Sequence, residues 1–409
     1  MKICIVGGGA TGWMAAAYIE ANLPDSEITL IESPTIPIIG VGESSLPQLR
    51  NFFNELGIDD NTWVKKCNGI LKKGNEKICW NGGSVKDDRF KFTFWYNDSN
   101  KFDTWLTDYM SKNLDKESLN DQLYDQSGWQ GYAYHLDAEK IPLVLKEHTT
   151  KVNHVIDTID ELPYGYDLYL DCTGFSRKFV QGREFVDLSK KGHIVNRSWV
   201  QAFKLDGQPY NYTESIALKY GWQFNIHTKE KNGAGYVFCS DMCSEQDALI
   251  EFQKFNSEFE PYKNSEPRLI KWQSGFLKEP WKDNIVAVGL SGGFIEPLES
   301  NALYMIQYSI TALVNTIKRG YSSATYNKMM NRIWMFNSDY LLHLYRLSPR
   351  TDTSFWKYYS ISDSDKTLWQ NYLKFNDKWK SLWPSAIWAS VGVLYNEFKY
   401  YEKINEGDI

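Results

Sequence analysis

The first apolar and polar positions of the chain follow the pattern of a strand, a helix and a second strand. "KICIV" is a short apolar run typical of a buried strand, and an alanine-rich helical pattern follows it and ends near Pro24. "EITLIES" repeats the strand pattern. This order predicts a βαβ unit and therefore a parallel sheet.

Three further patterns extend this prediction along the chain. "DLYLDCTG" and "NIVAVG" are apolar runs that end at glycine, which is typical of further buried strands. Residues 195–245 alternate apolar and polar positions and predict an antiparallel sheet. "PLESNALYMIQYSITALVNTIK" is apolar nearly all round and predicts a central helix, and the chain beyond Tyr321 is helical and aromatic in pattern.

The predicted fold is therefore α/β. It has a Rossmann-like domain, an inserted antiparallel sheet and a C-terminal helical substrate domain. The cofactor module is expected to be discontinuous, over residues 1–80, 130–200 and 265–320. The substrate-facing segments are expected at residues 81–129, 201–264 and 321–409.

Composition and charge exclude several functional classes. The chain is 43% hydrophobic and 23% charged with a net charge of -6, and its basic residues form no tract that would suit nucleic acid. The six cysteines show neither zinc spacing nor a C-x-x-C pair, so we expect free thiols in a reducing compartment and no metal site. No apolar run reaches the roughly 18 residues of a membrane span, and no secretion signal is evident. We expect a cytoplasmic protein without a membrane partner.

The glycine turn after the first strand predicts a dinucleotide site. Gly7, Gly9 and Gly12 form G-x-G-x-x-G between the strand and the helix, where a pyrophosphate can bind the free N–H groups of the helix. Glu32 ends the next strand, twenty residues after Gly12, where a carboxylate binds ribose hydroxyls. The alternative is a tight turn without a ligand. A second glycine-rich element, "IIGVGESS", and the later glycine-ended strand favour FAD over NAD.

Several ordered sequence blocks resemble the flavin-dependent tryptophan halogenases. The blocks, in chain order, are "GGGATGWMAAAYI", "ITLIES", "IPIIGVGESSLP", "GILK", "DCTG", "GWQFNI", "GAGYVFCS" and "GLSGGFIEPLES". The resemblance implies that the α/β Rossmann-like domain is an FAD-binding domain of the GR2 monooxygenase type. It also implies FAD, used as FADH2 from a separate flavin reductase, together with a halide ion and a small aromatic substrate. The cofactor-binding residues that it implies are Gly7, Gly9, Ala10, Thr11, Gly12, Glu32, Ser33, Val41, Ser44, Leu290 and Leu303.

The same resemblance implies two catalytic residues. The lysine of "GILK" is Lys72, which in the family directs hypohalous acid to the substrate as a haloamine or through a hydrogen bond. An apolar setting suits this role, because desolvation lowers the pKa of a lysine. Glu299 of "EPLES" matches the second residue, which orients the oxidant or accepts the ring proton. Without the resemblance, Lys72 is an ordinary surface lysine and Glu299 a carboxylate at a helix N-terminus; Lys73 and Lys77 are expected to be surface residues.

Two family motifs are altered in this chain. The halide-binding segment is predicted at Ser300, Asn301 and Ala302, where the family has Thr-Gly at the last two positions. We expect this change to favour bromide or iodide over chloride. The block that separates the flavin from the substrate contains Trp222 but has Phe224 in place of a second tryptophan, a bulky residue that is expected to preserve the barrier. His227, in place of proline, is expected to have no catalytic role.

The C-terminal region favours a substrate other than free tryptophan. "QNYLKFNDKWKSLWPSAIWASVGVLY" lacks the tyrosine pair and acid that hold the amino acid in the family. An indole, a phenol or another electron-rich arene is therefore expected. Two alternatives stay open: an FAD monooxygenase that hydroxylates or epoxidises, and an FAD-binding protein that has lost catalysis. The sequence does not predict the oligomeric state.

Overall fold

The computed structural model describes residues 1–36, 42–93, 132–346 and 348–360. The strands of this part are β1 (Lys2–Val6), β2 (Glu27–Glu32), β3 (Glu43–Ser44), β4 (Ile70–Lys72), β5 (Gly74–Ile78), β6 (Arg89–Thr93), β7 (Ala133–Leu136), β8 (Val152–Ile156), β9 (Leu168–Asp171), β10 (Phe185–Asp187), β11 (Arg197–Lys204), β12 (Tyr212–Ala217), β13 (Gly221–His227), β14 (Lys231–Phe238), β15 (Arg268–Lys271), β16 (Gly275–Leu277), β17 (Trp281–Lys282), β18 (Ile285–Ala287) and β19 (Gly293–Phe294).

The α-helices of the same part are α1 (Ala10–Asn22), α2 (Gln48–Glu55), α3 (Asp60–Lys66), α4 (Ile141–His148), α5 (Glu245–Phe255), α6 (Ala302–Lys318), α7 (Ser323–Arg346) and α8 (Ser354–Ser360). Short 3-10 helices lie at Ala138–Lys140, Gly174–Ser176, Ser189–Lys191, Tyr262–Asn264, Gly289–Ser291 and Leu298–Ser300. Within these described ranges, no helix combines the length and the apolar character needed to cross a lipid bilayer.

A mostly parallel sheet forms the first layer, in the strand order β17-β18-β9-β1-β2-β8. The contacts from β18 through β9, β1 and β2 to β8 are all parallel, and only β17 runs antiparallel. Helix α1 lies against this sheet and packs on α4 and α6. Because the carboxyl ends of parallel strands meet at one edge, the glycine turn after β1, Glu32 and the end of β9 lie together. The predicted βαβ start is confirmed.

A seven-stranded sheet forms the second layer, in the order β15-β11-β14-β13-β12-β5-β6. Its central strands are antiparallel, which confirms the prediction for residues 195–245, and only the β12–β5 contact is parallel. Strands β5 and β15 belong to this sheet, although the sequence analysis assigned both to the cofactor module. That assignment followed sequence blocks, whereas strand pairing depends on long-range contacts.

A small antiparallel sheet, β3-β7-β4, connects the two layers. Strand β7 pairs Ser44 with His135 on one side and Lys72 with Ala133 on the other. Several large side chains of the core are fully buried, among them Trp13, Trp63, Trp80, Trp222 and Trp356. The central helix predicted after "EPLES" is confirmed as α6, and the small sheet brings β4 to the start of this helix.

Candidate active site

The glycine turn after β1 opens onto a large cavity. A Cβ atom at Gly12 would lie 1.8 Å from the carbonyl oxygen of Gly7, so Gly12 is required by the turn itself. Gly7 has a φ of +121° and a Cβ there would lie 2.4 Å from the carbonyl oxygen of Cys172. A Cβ at Gly9 would meet nothing within 4 Å. The turn thus has no space for a side chain at Gly7 and Gly12, but it has free space at Gly9, the N-cap of α1.

This cavity has a volume of about 440 Å³ and a lining that suits a dinucleotide. The N-cap of α1 has no side-chain hydrogen bond, which leaves helix N–H groups for a pyrophosphate. The carboxylate of Glu32 lies in the same cavity, with its Oε2 atom 2.8 Å from the Nε2 atom of His154. The predicted cofactor residues that line the cavity are Gly7, Gly9, Ala10, Thr11, Glu32, Ser33, Leu290 and Leu303.

Two of the predicted cofactor residues, Gly12 and Ser44, do not line this cavity. Gly12 is buried in the turn, and the Oγ atom of Ser44 lies 2.7 Å from the Oγ1 atom of Thr213. Val41 lies outside the described residues. Ala302, which the sequence analysis placed with the halide, does line the cavity. The cofactor cavity therefore reaches the N-terminus of α6.

Lys72 is fully buried at the end of β4. Its Nζ atom donates hydrogen bonds to the carbonyl oxygen of Ser45 at 3.2 Å and to the Oγ atom of Ser300 at 3.0 Å. Burial lowers the pKa of the Lys72 amine well below its ordinary range; the charge of Glu299 opposes this shift, and the charge of Lys77 adds to it. The alternative that Lys72 is a surface lysine is therefore wrong.

Glu299 lies in a left-handed turn just before α6. Glu299 and Ser300 have φ values of 66° and 60°, a backbone conformation that is unfavourable for residues other than glycine. The Oε2 atom of Glu299 accepts hydrogen bonds from the Nδ2 atom of Asn75 at 3.1 Å and from the hydroxyl of Tyr340 at 3.0 Å. Its Oε1 atom forms an ion pair with Lys77. Glu299 is thus held by side chains and is not a surface carboxylate of the first helical turn.

The prediction that Lys77 is a surface lysine is wrong. Its side chain is fully buried and forms an ion pair with Glu299. Its Nζ atom also lies 3.3 Å from the Oγ atom of Ser215. The reason is that β5 lies between β6 and β12 and is buried along its whole length. A signal was present in the sequence, because Asn75 and Lys77 stand two positions apart and share one face of a strand.

The predicted halide segment contacts α7 as well as β4. The Nδ2 atom of Asn301 donates to the Oδ1 atom of Asn337 at 2.9 Å, and Ser300 accepts the hydrogen bond of Lys72. A small cavity of about 10 Å³, lined by Asn301, Ala302 and Trp334 among others, lies beside them. That volume is close to the space of one water molecule.

The predicted barrier residues lie on β13 at alternate positions. The ring centroids of Trp222 and Phe224 are 6.2 Å apart, and both side chains are buried. Phe224 also lines the cofactor cavity. A Cβ atom at Gly235 on β14 would lie 2.2 Å from the ring of Phe224, so this glycine gives the phenyl ring its space. The structure thus places Phe224, beside Trp222 on β13, in the wall of the cavity.

A buried hydrogen-bond network that the sequence analysis missed lies beside Lys72. The Nδ1 atom of His135 lies 3.0 Å from the carbonyl oxygen of His227 and must donate to it, so Nε2 accepts from Thr213 at 2.8 Å when the ring is neutral. Burial lowers the pKa of His135 well below its ordinary range, and the charge of Lys72 adds to this shift. With Ser44 bonded to Thr213, the network fixes the segment whose Ser45 carbonyl accepts from Lys72.

The comparisons with known proteins agree with this geometry. The family model described as tryptophan halogenase matches residues 2–396. The chain is 30% identical to tryptophan 6-halogenase ThaL of Streptomyces albogriseolus, over 87% of this chain and 78% of the relative. It is 28% identical to tryptophan 7-halogenase RebH of Lentzea aerocolonigenes, with the same coverage of 87% and 78%.

Solved structures show the same fold. The flavin-dependent halogenase Xcc4156 from Xanthomonas campestris superposes with a TM-score of 0.83 at 23% identity, over 97% of this chain and 88% of the other. A tryptophan halogenase from Shewanella frigidimarina gives a TM-score of 0.81 at 25% identity, with the same coverage of 97% and 88%. The predicted Rossmann-like α/β fold is confirmed by these similarities.

Proposed function

The chain belongs to the tryptophan halogenase family, and from this premise we propose that it is an FADH2-dependent halogenase in which Lys72 directs the oxidised halogen onto an electron-rich arene. Membership makes the protein an oxidoreductase of the flavin-dependent halogenases. The roles of individual residues, the substrate class and the halide preference form the proposal. Because tryptophan halogenases work with a separate flavin reductase, we propose that FADH2 reaches this enzyme by diffusion.

The cofactor site is proposed at the cavity that opens from the glycine turn. Bound reduced FAD supplies, with oxygen, the two-electron oxidation of halide to hypohalous acid. The open N-terminus of α1 at Gly9 would hold the pyrophosphate, and Glu32 would bind the ribose of the adenosine. Trp222 and Phe224 would keep the arene from this cavity.

The single observation that carries the proposal is the buried amine of Lys72 beside Ser300 and Glu299. A neutral amine attacks the halogen of hypohalous acid; the N–halogen bond forms as the O–halogen bond breaks, and the hydroxide leaves as water with a proton of the amine. A protonated amine would instead donate a hydrogen bond to the hypohalous oxygen. The lowered pKa of Lys72 favours the first form.

Glu299 is proposed to act at the arene. Ring carbon attack on the halogen leaves a proton on the carbon that was attacked, and a carboxylate nearby can accept this proton as the ring regains its aromaticity. The turn at Glu299 and Ser300 places the carboxylate one residue from the hydroxyl that accepts from Lys72. The oxidant and the base thus act within one small buried site.

The proposed substrate is an indole, a phenol or a similar electron-rich arene, with bromide or iodide preferred to chloride. The halide preference is proposed from Asn301 and Ala302, which stand where the family has Thr-Gly. The substrate class is proposed from the sequence of residues 370–395, which lie outside the described residues.

One assay separates the candidate functions. The enzyme is incubated with FADH2, air, a halide and a panel of indoles and phenols, and the products are identified by mass spectrometry. A halogenated arene supports the proposal, because the halide enters the product. Oxygen insertion without halogen would identify a monooxygenase, and hydrogen peroxide alone would identify a protein that binds FAD without halogenating.

A further inference from the structure

A second buried lysine, Lys77, lies in the candidate active site. Strand β5 presents Asn75 and Lys77 on the same face, and both side chains contact the carboxylate of Glu299. The Nζ atom of Lys77 also lies 5.1 Å from the ring centroid of Trp80. The family resemblance assigns a role to Lys72 and to Glu299, and it assigns none to Lys77.

The contacts of Glu299 leave its carboxylate little freedom to rotate. Lys77 binds one oxygen, and Asn75 and Tyr340 donate to the other. The donors come from two different elements, β5 and α7, so a rotation of the carboxylate would break several bonds at once. Charge-assisted hydrogen bonds of this kind are stronger than bonds between neutral groups.

The charges around Lys77 favour Glu299 as its partner. Two carboxylates, Glu296 and Glu299, face Lys77 from the segment before α6. The amine of Lys72 on β4 also interacts electrostatically with Lys77. Glu296 is fully buried and accepts a hydrogen bond from Tyr345 at 3.0 Å, and burial raises its pKa to about 8. Glu296 is therefore mostly neutral at pH 7. Burial lowers the pKa of Lys77, and Glu299 opposes this shift more strongly than Glu296 does.

The ion pair between Lys77 and Glu299 also helps to hold the left-handed turn. Glu299 and Ser300 both have positive φ values, and such strain persists only where the surroundings hold it. Lys77 holds the first residue through its carboxylate, and Lys72 holds the second through its hydroxyl. The two lysines come from successive strands, β4 and β5, and bind successive residues of the turn.

We propose that Lys77 is a positioning residue of the halogenase, which fixes the direction of the Glu299 carboxylate beside the amine of Lys72. This inference rests on the proposed function, because it assigns Lys77 a task in the step that Glu299 performs. A base that is held in one direction can accept the ring proton without first reorienting. Lys77 itself has no contact with the reacting atoms in this scheme.

The experiment compares four variants of the full chain with FADH2, air, bromide and indole. They are Lys77→Met, Glu299→Gln, the double variant of both, and Lys73→Met as the matched control on the neighbouring position. We expect Lys77→Met to lower kcat by at least about tenfold, because a misplaced base loses most of its effect. We expect KM for FADH2 and the release of hydrogen peroxide to stay unchanged, and Lys73→Met to behave as the wild type.

A comparison in the Glu299→Gln background separates positioning from a merely structural role. In the Glu299→Gln background, Lys77→Met should lower kcat by less than about twofold, because the partner is already neutral.

The outcomes are distinct for the inference and for the proposed function. If the wild type halogenates, and Lys77→Met lowers kcat equally in both backgrounds, the positioning role is wrong. If Lys77→Met does not fold, a folded double variant with the activity of Glu299→Gln supports the inference, and a double variant ten times less active overturns it. If the wild type forms no halogenated product, the proposed function and the inference both fail.

Discussion

The Nζ atom of Lys72 donates a hydrogen bond of 3.0 Å to the Oγ atom of Ser300, which lies 228 residues later in the chain. This bond joins the small sheet at β4 to the turn that precedes α6. It places a fully buried amine next to the residue that follows Glu299. The proposed chemistry depends on this contact, because oxidant and base must act at one arene.

We expect Ser300→Ala to lower kcat for bromination of indole by about tenfold, because the amine loses one of the partners that hold its position. FADH2 binding should stay unchanged. Ser309→Ala is the matched control, since its buried hydroxyl donates to the carbonyl of Ile306 within α6 at 2.8 Å. Steady-state kinetics of both variants check this. Equal losses in the two variants would show that the contact has no specific role.

The burial of Lys72 predicts a cost in stability that depends on pH. The unfolded chain keeps the Lys72 amine protonated near neutral pH, whereas burial in the folded chain lowers its pKa. Folding therefore releases a proton and becomes less favourable as the pH falls. We expect Lys72→Met to be more stable than the wild type at pH 6 by about 1 kcal/mol or more, with a smaller difference at pH 9.

Thermal unfolding at the two pH values measures this effect, and Lys73→Met is the control that should show no such dependence. A Lys72→Met variant with the same melting temperature as the wild type at both values would contradict the assigned burial.

The pair Asn301 and Ala302 at the start of α6, which stands where the family has Thr-Gly, predicts the halide preference. In competition at equal concentrations, we expect bromide or iodide to be incorporated at least about tenfold more than chloride, and Asn301→Thr with Ala302→Gly to shift the ratio toward chloride. Asn315→Thr, on the exposed side of the same helix, should leave the ratio unchanged. Mass spectrometry of the products gives the ratio directly. A chloride preference in the wild type would refute this interpretation of the pair.

Two glycines of the same turn predict opposite effects. Gly9→Val should weaken FAD binding by about tenfold or more while the melting temperature stays unchanged, because a side chain there enters only the cavity. Gly12→Ala should instead destabilise the fold, since its Cβ would lie 1.8 Å from a backbone oxygen. FAD fluorescence titration and thermal unfolding measure the two effects. If Gly9→Val binds FAD as tightly as the wild type, the cofactor does not occupy this cavity at the turn.

The sequence predicted those parts of the protein that depend on local patterns. The strand, the glycine turn and Glu32 stand in one continuous stretch, so their periodicity and spacing were sufficient to predict the βαβ unit. Lys72 was different, because no local pattern distinguishes it from Lys73. The resemblance to a family identified it, and the structure then placed it in the core.

The partners of Glu299 could not be predicted in the same way. Lys77 is buried only because β5 pairs with β12 in parallel, and Tyr340 reaches the carboxylate from the middle of α7. Both facts depend on tertiary contacts, between residues 138 apart for Lys77 and Ser215 and 41 apart for Tyr340 and Glu299. The charge of Lys77 suggested a surface position instead. His135 was missed for the same reason, since its partners Thr213 and His227 lie on other strands.

The most direct test of the central claim is the product formed by Lys72→Ala with FADH2, air, bromide and an indole that the wild type halogenates. We expect this variant to form no detectable halogenated product while it binds FAD and releases hydrogen peroxide as the wild type does, and Lys73→Ala to halogenate normally. Halogenation by Lys72→Ala at the wild-type rate and at the same ring position would show that Lys72 does not direct the oxidant.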